Sequence, residues 1–305
     1  MIYKTEFRAM GSHMLAALDT PPARTPHRLD SVPLWFEAWE ASLSRFRPES
    51  ELSRLNQSAG EERNVSSTLW EVFQLSLETN RQSGGLVTPL VLDALVEAGY
   101  DTSFEQLATQ PSAARAGQPV LDASQIKADA LHHTILLPPN AHLDFGGIAK
   151  GWAAHKATQK LKLYGPALVD AGGDIAISGL QADGQPWPVG IVNPFLPDQN
   201  LHTLRLGRCG IATSGRDYRR WKQGDNWKHH IIDPRTGEPA ETDVFSVTII
   251  APTVIEAEMA AKVILISGNQ GGLAWLEARP SLAGLLVLDD GRRLYSANFE
   301  KYVWE

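Results

Sequence analysis

Residues 143–152 (LDFGGIAKGW) place two adjacent glycines and a lysine at a predicted strand-to-helix junction, just after an acid. Gly146 and Gly147 would let backbone N–H groups approach a ligand closely, and the dipole of the following helix favours an anion there. Lys150 would add a mobile positive charge. This arrangement suits a phosphate or pyrophosphate, although a tight turn followed by a solvated lysine accounts for the same pattern. The stretch matches neither a Walker loop nor a dinucleotide-binding fingerprint.

A second glycine pair lies in residues 169–179 (VDAGGDIAISG). Gly172 and Gly173 interrupt a predicted strand and are flanked by Asp170 and Asp174. Paired glycines inside a strand mark either a bulge or a place where a ligand comes close to the backbone. The sequence leaves both interpretations open.

Residues 210–237 (GIATSGRDYRRWKQGDNWKHHIIDPRTG) combine hydroxyls, histidines and a turn. Residues 213–215 (TSG) supply two hydroxyls and a glycine at a predicted strand end, and Asp233 opens a D-P-R-T-G turn. Alternation along 228–233 would send His230 to one face of a strand and His229 to the other. A histidine beside a turn is commonly structural, but the nearby hydroxyls favour His230 as a general base.

Glu258 and Lys262 stand four residues apart on a predicted helix over 254–267. Such a spacing is typical of a surface ion pair worth about 0.3–0.5 kcal/mol. Ala257 and Ala261 lie on the apolar stripe of the same helix, so the pair is expected to border the buried face.

The composition of the 305-residue chain excludes several classes of function. The 28 basic and 35 acidic residues give a net charge of −7, which argues against a general binder of nucleic acid or anionic membranes. Cys209 is the single cysteine, so the chain has neither an internal disulfide nor a cysteine-based metal site. Neither an export signal nor a membrane span is visible, and we expect a soluble, cytoplasmic protein.

The expected elements arrive as consecutive strands with few helices, which favours an α+β fold with antiparallel sheet over a parallel doubly wound one. We expect residues 49–60 to be turn-rich and 102–127 to be rich in loops. Helices are predicted over 32–46, 67–83, about 150–163 and 254–267, strands over 5–18, 132–137, 167–178, 187–192, 203–214, 228–233 and 244–251, and a hairpin over 283–296.

Nine segments follow one another in a definite order: RAMGSH, LSRFRPESELSRLN, GLVTPLVLDAL, LDFGGIAKGW, VDAGGDIAISG, WPVGIVNP, ATSGRDY, HHIIDPRTGEP and AEMAAKVILISG. The series resembles the bacterial FAD:protein FMN transferases, which attach FMN to a threonine of a target protein, over about residues 7–297. The resemblance implies an α+β, T-fold-like architecture of antiparallel sheets with packed helices. It also implies one flavin transferase domain over 5–300, or two intertwined lobes, with FAD as donor, AMP as leaving product and a magnesium ion.

The resemblance assigns two kinds of role within this sequence. His230 would deprotonate the acceptor threonine, and Lys150 would act with it at the reacting phosphate. The positions implied to contact FAD are Met10, Gly11 and Ser12 beside the flavin, Gly146, Gly147 and Lys150 at the diphosphate, Gly172, Gly173 and Asp174 in a flavin-contacting loop, Thr213, Ser214 and Gly215 beside the isoalloxazine, and Asp233, the acid after the histidine.

The sequence departs from the family pattern at the implied metal site. The family's helix carries an aspartate and, four residues on, a threonine, which bind magnesium with the main-chain carbonyl at the position of Ala149. Here Glu258 and Lys262 replace them, and residues 87–90 (VTPL) replace F-D-P-T. Glutamate can bind Mg²⁺ through oxygen, whereas a charged ammonium cannot ligate a metal. Either Lys262 supplies the charge that the ion otherwise gives, or the protein only holds flavin.

We therefore predict FMN transfer from FAD to a threonine of another polypeptide, since no S-G-A-T acceptor motif occurs in this chain. The retained histidine, glycine and lysine elements favour this function. Two alternatives stay open: an FAD pyrophosphatase, in which water is the nucleophile, and a non-catalytic FAD-binding protein.

Overall fold

The computed structural model describes residues 1–21, 28–107, 117–223 and 226–304. The chain forms two compact units that alternate along the sequence. Unit 1 comprises Met1–Glu37, Lys150–Asp217 and Thr242–Glu305, and unit 2 comprises Ala38–Ala149 and Tyr218–Glu241.

The helices and strands are as follows in chain order. The helices are α1 (Val32–Leu43), α2 (Glu51–Gln57), α3 (Ser67–Gln82), α4 (Leu92–Glu97), α5 (Ala149–Leu161) and α6 (Val254–Glu277). The strands are β1 (Ile2–Ala9), β2 (Ser12–Asp19), β3 (Glu62–Asn64), β4 (Lys127–Asp129), β5 (Thr134–Leu136), β6 (Ala167–Ala171), β7 (Asp174–Ile177), β8 (Trp187–Asn193), β9 (Leu196–Leu206), β10 (Cys209–Gly215), β11 (Arg220–Gln223), β12 (Asn226–His229), β13 (Ile232–Asp233), β14 (Glu238–Pro239), β15 (Val244–Ala251), β16 (Ala283–Leu288) and β17 (Arg293–Tyr295).

Unit 1 is built on an eight-stranded sheet in the order β1-β2-β6-β7-β10-β15-β16-β17. Every neighbouring pair is antiparallel. Helix α6 packs against β10 and β15. Its predicted apolar stripe of Ala257, Ala261, Ile264 and Leu265 is completely buried, which confirms the helical periodicity. The β8–β9 hairpin buries Trp187 and alternate residues in a second apolar cluster with the sheet.

Three strands expected to be continuous are each divided in two: two of them form hairpins, and the third is split between strands of different sheets. Residues 5–18 belong to β1 and β2, which reverse at Met10 and Gly11 with φ of 49° and 63°. Residues 167–178 form β6 and β7, joined by Gly172 and Gly173 with φ of 67° and 95°. Residues 203–214 are divided between β9 and β10. The backbone reverses where left-handed conformations are available, and alternation alone does not locate those points.

Unit 2 contains helices, a three-stranded sheet in the order β3-β5-β4 and two short hairpins, β11–β12 and β13–β14. Helix α3 is confirmed over Ser67–Gln82, and Ser66 caps it by accepting from the N–H of Leu69. The turn-rich assignment of 49–60 was wrong, because α2 begins after Ser50, whose hydroxyl accepts from Ser53 N–H. Its leucines are buried, which supplies the packing that the polar composition concealed.

Two other expectations in unit 2 were only partly correct. The described part of 102–127 has 3₁₀ turns at Phe104–Gln106 and Ala123–Gln125, and residues 108–116 lie outside the described residues. The strand expected over 228–233 is broken, since β12 ends at His229 and β13 begins at Ile232. Ile231 and Ile232 are both buried, so simple alternation does not hold there.

Candidate functional site

Four charged side chains form a cluster in unit 1, here called the charged quartet: Lys150, Asp174, Glu258 and Lys262. Lys150, in the first turn of α5, donates to Asp174, the first residue of β7. The Lys262 ammonium donates to Glu258 Oε1 at 3.1 Å one turn away on α6. Glu258 Oε2 also accepts from the backbone N–H of Gly151 at 3.2 Å. The sequence pattern predicted each member, but the structure brings them together.

Burial dominates the electrostatics of the quartet. The Glu258 side chain is only 1% exposed, and burial raises the pKa of this carboxyl. The positive charge of Lys262 opposes the shift of the pKa, Asp174 adds to it, and Lys150 opposes it. These mutual influences show that two acids and two ammonium groups act as one electrostatic cluster.

Gly151 makes this arrangement possible by lacking a side chain. A Cβ at this position would lie 2.4 Å from Glu258 Oε2. Only hydrogen fits there, so the glycine allows the Glu258 carboxylate to lie against the first turn of α5. The glycine was visible in the LDFGGIAKGW stretch, but its partner on α6 was not.

The acid that precedes the first glycine pair has a structural role in unit 2. Asp144 Oδ2 lies 2.8 Å from Arg45 Nε, with both side chains less than 10% exposed. Its other oxygen accepts from Gly146 N–H at 2.7 Å. Neither Gly146 nor Gly147 has a positive φ. Asp144 therefore fixes the loop before α5. Sequence reasoning missed its partner Arg45, which lies in the LSRFRPESELSRLN segment.

Helix α5 begins differently from what was expected. Strand β5 ends at Leu136, and the chain reaches Ala149 through loop and turn, so the junction is loop-to-helix. The Ala149 N–H donates to the Phe145 carbonyl at 2.7 Å.

The two glycine-containing turns of the unit 1 sheet lie side by side. A Cβ on Gly172 would be 2.7 Å from the Ser12 Cβ, so the turn between β6 and β7 contacts the start of β2. Gly173 N–H donates to Asp170 Oδ1 at 2.7 Å, and burial raises the pKa of that acid. The structure thus brings the turn at Met10 and Gly11, which leads into Ser12, together with the turn at Gly172 and Gly173.

The strand end at residues 213–215 presents one hydroxyl and buries the other. Thr213 is exposed, and its Oγ1 lies 2.9 Å from Thr248 Oγ1 on β15. Ser214 is buried on the opposite face. A Cβ on Gly215 would lie 2.4 Å from Asp217 Oδ1, so a larger residue at the end of β10 would displace the Asp217 side chain.

The two adjacent histidines of unit 2 have different surroundings. His229 is buried, and its Nε2 lies 3.1 Å from the Ala240 carbonyl oxygen. His230 is half-buried, and its Nδ1 lies 3.4 Å from the Arg219 carbonyl oxygen. Since a carbonyl only accepts, this contact puts the proton on Nδ1 and the lone pair on Nε2. In a neutral His230 ring, Nε2 is then the acceptor nitrogen.

Asp233 fixes the turn that follows. Its carboxylate accepts three hydrogen bonds from the Arg235 guanidinium, at 2.7, 2.9 and 3.1 Å, and one from the Arg235 N–H at 2.9 Å. These bonds raise the pKa of the Arg235 guanidinium. The contacts of this acid are those of a turn-forming residue.

The residues at the implied magnesium position do not form a suitable ligand set. Mg²⁺ requires oxygen ligands at about 2.0–2.1 Å in octahedral geometry. Glu258 accepts a hydrogen bond from the Lys262 ammonium, and Asp174 accepts one from the Lys150 ammonium. Within the ranges that the structure describes, no group of three or more His, Cys, Asp or Glu side chains could hold a metal.

Comparison with known proteins identifies the family. A model described as the ApbE family matches residues 10–286. The chain belongs to the ApbE family. A relative from Treponema pallidum (strain Nichols), named FAD:protein FMN transferase, is 32% identical over 297 residues, covering 91% of this chain and 81% of the relative. A Vibrio cholerae protein of the same name is 31% identical over 273 residues, covering 86% and 80%.

The fold agrees with this membership. The crystal structure of the ApbE protein of Thermotoga maritima aligns with a TM-score of 0.86 and 21% identity, covering 100% of both chains. The predicted α+β class with antiparallel sheets is thereby confirmed. Across the described residues, every helix is too short or too polar to cross a bilayer.

The residues predicted for the ApbE site divide between the units. Unit 1 contains Met10, Gly11, Ser12, Lys150, Gly172, Gly173, Asp174, Thr213, Ser214, Gly215 and Glu258, and unit 2 contains Gly146, Gly147, Ala149, His230 and Asp233.

Proposed function

We propose that this chain is an FAD:protein FMN transferase, which moves FMN from FAD to a threonine hydroxyl of another polypeptide and releases AMP. The relatives named for this activity support the proposal, since they align with most of the chain. One observation carries it structurally: Lys150 is held by Asp174 at the start of a helix, beside the turn formed by Gly172 and Gly173. Residues 5–300 are proposed to act as one flavin transferase domain.

Donor binding is assigned to unit 1 groups that favour anions. The Lys150 ammonium and the positive end of the α5 dipole attract the FAD diphosphate, because both favour negative charge at the start of the helix. At Gly173 nothing lies within 4 Å of where a Cβ would be, so the donor can approach the backbone there, whereas Ser12 fills the corresponding space at Gly172. We assign the flavin to this surface and to the exposed hydroxyl of Thr213.

The transfer itself is an in-line displacement at phosphorus. Nε2 of His230 takes the proton from the acceptor threonine, and the resulting oxygen attacks the phosphorus on the FMN side. The new bond joins the threonine Oγ to that phosphorus. The bond to the bridging oxygen breaks, and AMP leaves with that oxygen and its electron pair. Lys150 stabilises the negative charge that develops on the phosphates.

A transfer assay tests the proposal. The purified protein is incubated with FAD and a peptide containing an S-G-A-T motif, and mass spectrometry follows the peptide. We expect a mass increase equal to one FMN and the release of one AMP for each modified peptide. Formation of free FMN and AMP without peptide modification would instead indicate a pyrophosphatase, and unchanged FAD would indicate a binding protein.

Replacing His230 with alanine tests its role as the base. We expect H230A to lower the transfer rate at least about 100-fold, because general-base catalysis typically contributes 10²–10⁴-fold. The affinity for FAD should not change. His132→Ala, at an exposed position on another part of unit 2, is the matched control and should transfer at the parental rate. An H230A variant that transfers as fast as the parent would exclude the role.

A further inference from the structure

The Glu258–Lys262 pair is more buried than its spacing requires. Pairs at i and i+4 commonly lie on an exposed helix face, where they contribute a few tenths of a kcal/mol. Here the carboxylate is 1% exposed and the lysine side chain 18% exposed. Removing two charges from water costs several kcal/mol per ion, and their attraction often fails to offset that cost. The burial of this pair is therefore weak evidence for a contribution to stability, which leaves a role in binding to consider.

Each ammonium group of the quartet is paired with one carboxylate. Lys150 and Lys262 carry two positive charges and Asp174 and Glu258 two negative ones, so the quartet is neutral. The diphosphate of FAD brings two negative charges. An ammonium group has three N–H donors, and Glu258 accepts one from Lys262. The Lys262 side chain is 18% exposed, so solvent reaches part of it.

The position of the ammonium also bears on metal binding. Its nitrogen is 3.1 Å from Glu258 Oε1, on the oxygen that a metal would have to approach to about 2.1 Å. The Lys262 ammonium is thus a cation that already lies at the Glu258 carboxylate, and it belongs to the protein itself.

We propose that Lys262, held by Glu258, provides the positive charge that a divalent cation would otherwise bring to the FAD diphosphate, so that this chain binds FAD and transfers FMN without a divalent metal. The part concerning transfer rests on the proposed function. In that step the threonine Oγ–P bond forms, the P–O bond to AMP breaks, and the threonine proton goes to His230. Lys262 keeps its proton and acts by its charge alone.

The first test uses the unmodified protein. FAD affinity is measured by quenching of flavin fluorescence in EDTA and in Mg²⁺, and transfer to the peptide is measured in the same two conditions. We expect both quantities to agree within about two-fold between conditions. A loss of more than about ten-fold in EDTA that Mg²⁺ restores would overturn the proposal and leave FMN transfer intact. If transfer is absent in both conditions, the proposed function fails, while the affinity still decides the role of Lys262.

The second test exchanges the cation. Lys262→Thr should weaken FAD binding in EDTA at least about ten-fold, equivalent to about 1.4 kcal/mol. Mg²⁺ should restore the affinity, and calorimetry should detect Mg²⁺ binding to the FAD complex of K262T but not to that of the parent. Unchanged affinity of K262T in EDTA, or Mg²⁺ binding to the parent complex, would contradict the proposal.

Two further variants separate binding from folding. The double variant Glu258→Gln with Lys262→Met leaves no uncompensated buried charge, so it should fold even if K262T does not. It is expected to lose the same ten-fold affinity in EDTA, and parental affinity would overturn the proposal. Lys162→Met removes an exposed lysine after α5 and should bind FAD like the parent. An equal loss in that control would show an effect of overall charge and contradict the role of Lys262.

Discussion

Replacing Gly151 with alanine is expected to destabilise the protein by displacing Glu258. The new Cβ would lie 2.4 Å from Oε2 of a carboxylate that is only 1% exposed. The hydrogen bond from the Gly151 N–H, now 3.2 Å long, would be lost. A hydrogen bond to a charged group contributes about 1.5–3 kcal/mol. Alanine gains up to about 1 kcal/mol over glycine inside a helix, which leaves a net destabilisation of about 0.5–2 kcal/mol.

Equilibrium unfolding in urea, followed by tryptophan fluorescence, measures this change. Gly271→Ala is the matched control, because Gly271 also lies inside a helix and its added Cβ would be 3.5 Å from the Ser267 Cβ, an ordinary contact. G271A should unfold at the same urea concentration as the parent or at a higher one. Should G151A prove as stable as G271A, the packing of Glu258 against α5 would be refuted.

Three other substitutions have expected outcomes in unfolding experiments. Thr253→Ala removes the side-chain half of the capping box of α6 and should lower the free energy of unfolding by about 0.5–2 kcal/mol; no change in urea would contradict the cap. Arg45→Met leaves the Asp144 carboxylate buried without its guanidinium partner and should lower the free energy of unfolding by about 3–5 kcal/mol. A thermal unfolding midpoint near that of the parent would contradict this expectation. Asp170→Asn should stabilise the protein at neutral pH, because burial raises the pKa of the native carboxyl above its unfolded value of 3.8. The free energy of unfolding of the parent then falls as the pH rises from the unfolded-state pKa through the raised native-state pKa. D170N lacks the titrating carboxyl and does not show this fall. Equal slopes of unfolding free energy against pH in the two proteins would disprove the raised pKa.

The helices of this fold could be predicted where local sequence and packing agree. Helix α3 has a serine cap before it and two glycines after it. The first part of α6 has an apolar stripe over the predicted range 254–267, and Gly268, with φ of 74°, interrupts the helix directly after it. Helix α2 was missed because its seven residues are largely polar, and its stability comes from Leu52 and Leu55, which pack against other parts of the chain. Hairpins were missed where the reversal uses Met10, a residue type that rarely adopts a positive φ.

The site was predictable by residue type but not by pairing. Lys150 was selected for its charge, yet its partner Asp174 is 24 residues away and joins it only through the folding of the sheet. The spacing of Glu258 and Lys262 predicted their ion pair but gave no measure of its burial. Arg45 lacked any local signal, because its role depends on Asp144, far along the chain.

The alternation of the two units along the sequence sets the order in which they can be completed during synthesis. The last segment of unit 2 ends at Glu241, whereas unit 1 needs residues up to the C-terminal part of the chain. Strands β15 and β16 are interior to the large sheet, and they are translated after all of unit 2. While the polypeptide emerges from the ribosome, β10 therefore has an open edge that awaits its neighbour. A nascent chain stalled near residue 241 would expose this edge, and it is there that we expect a chaperone to bind.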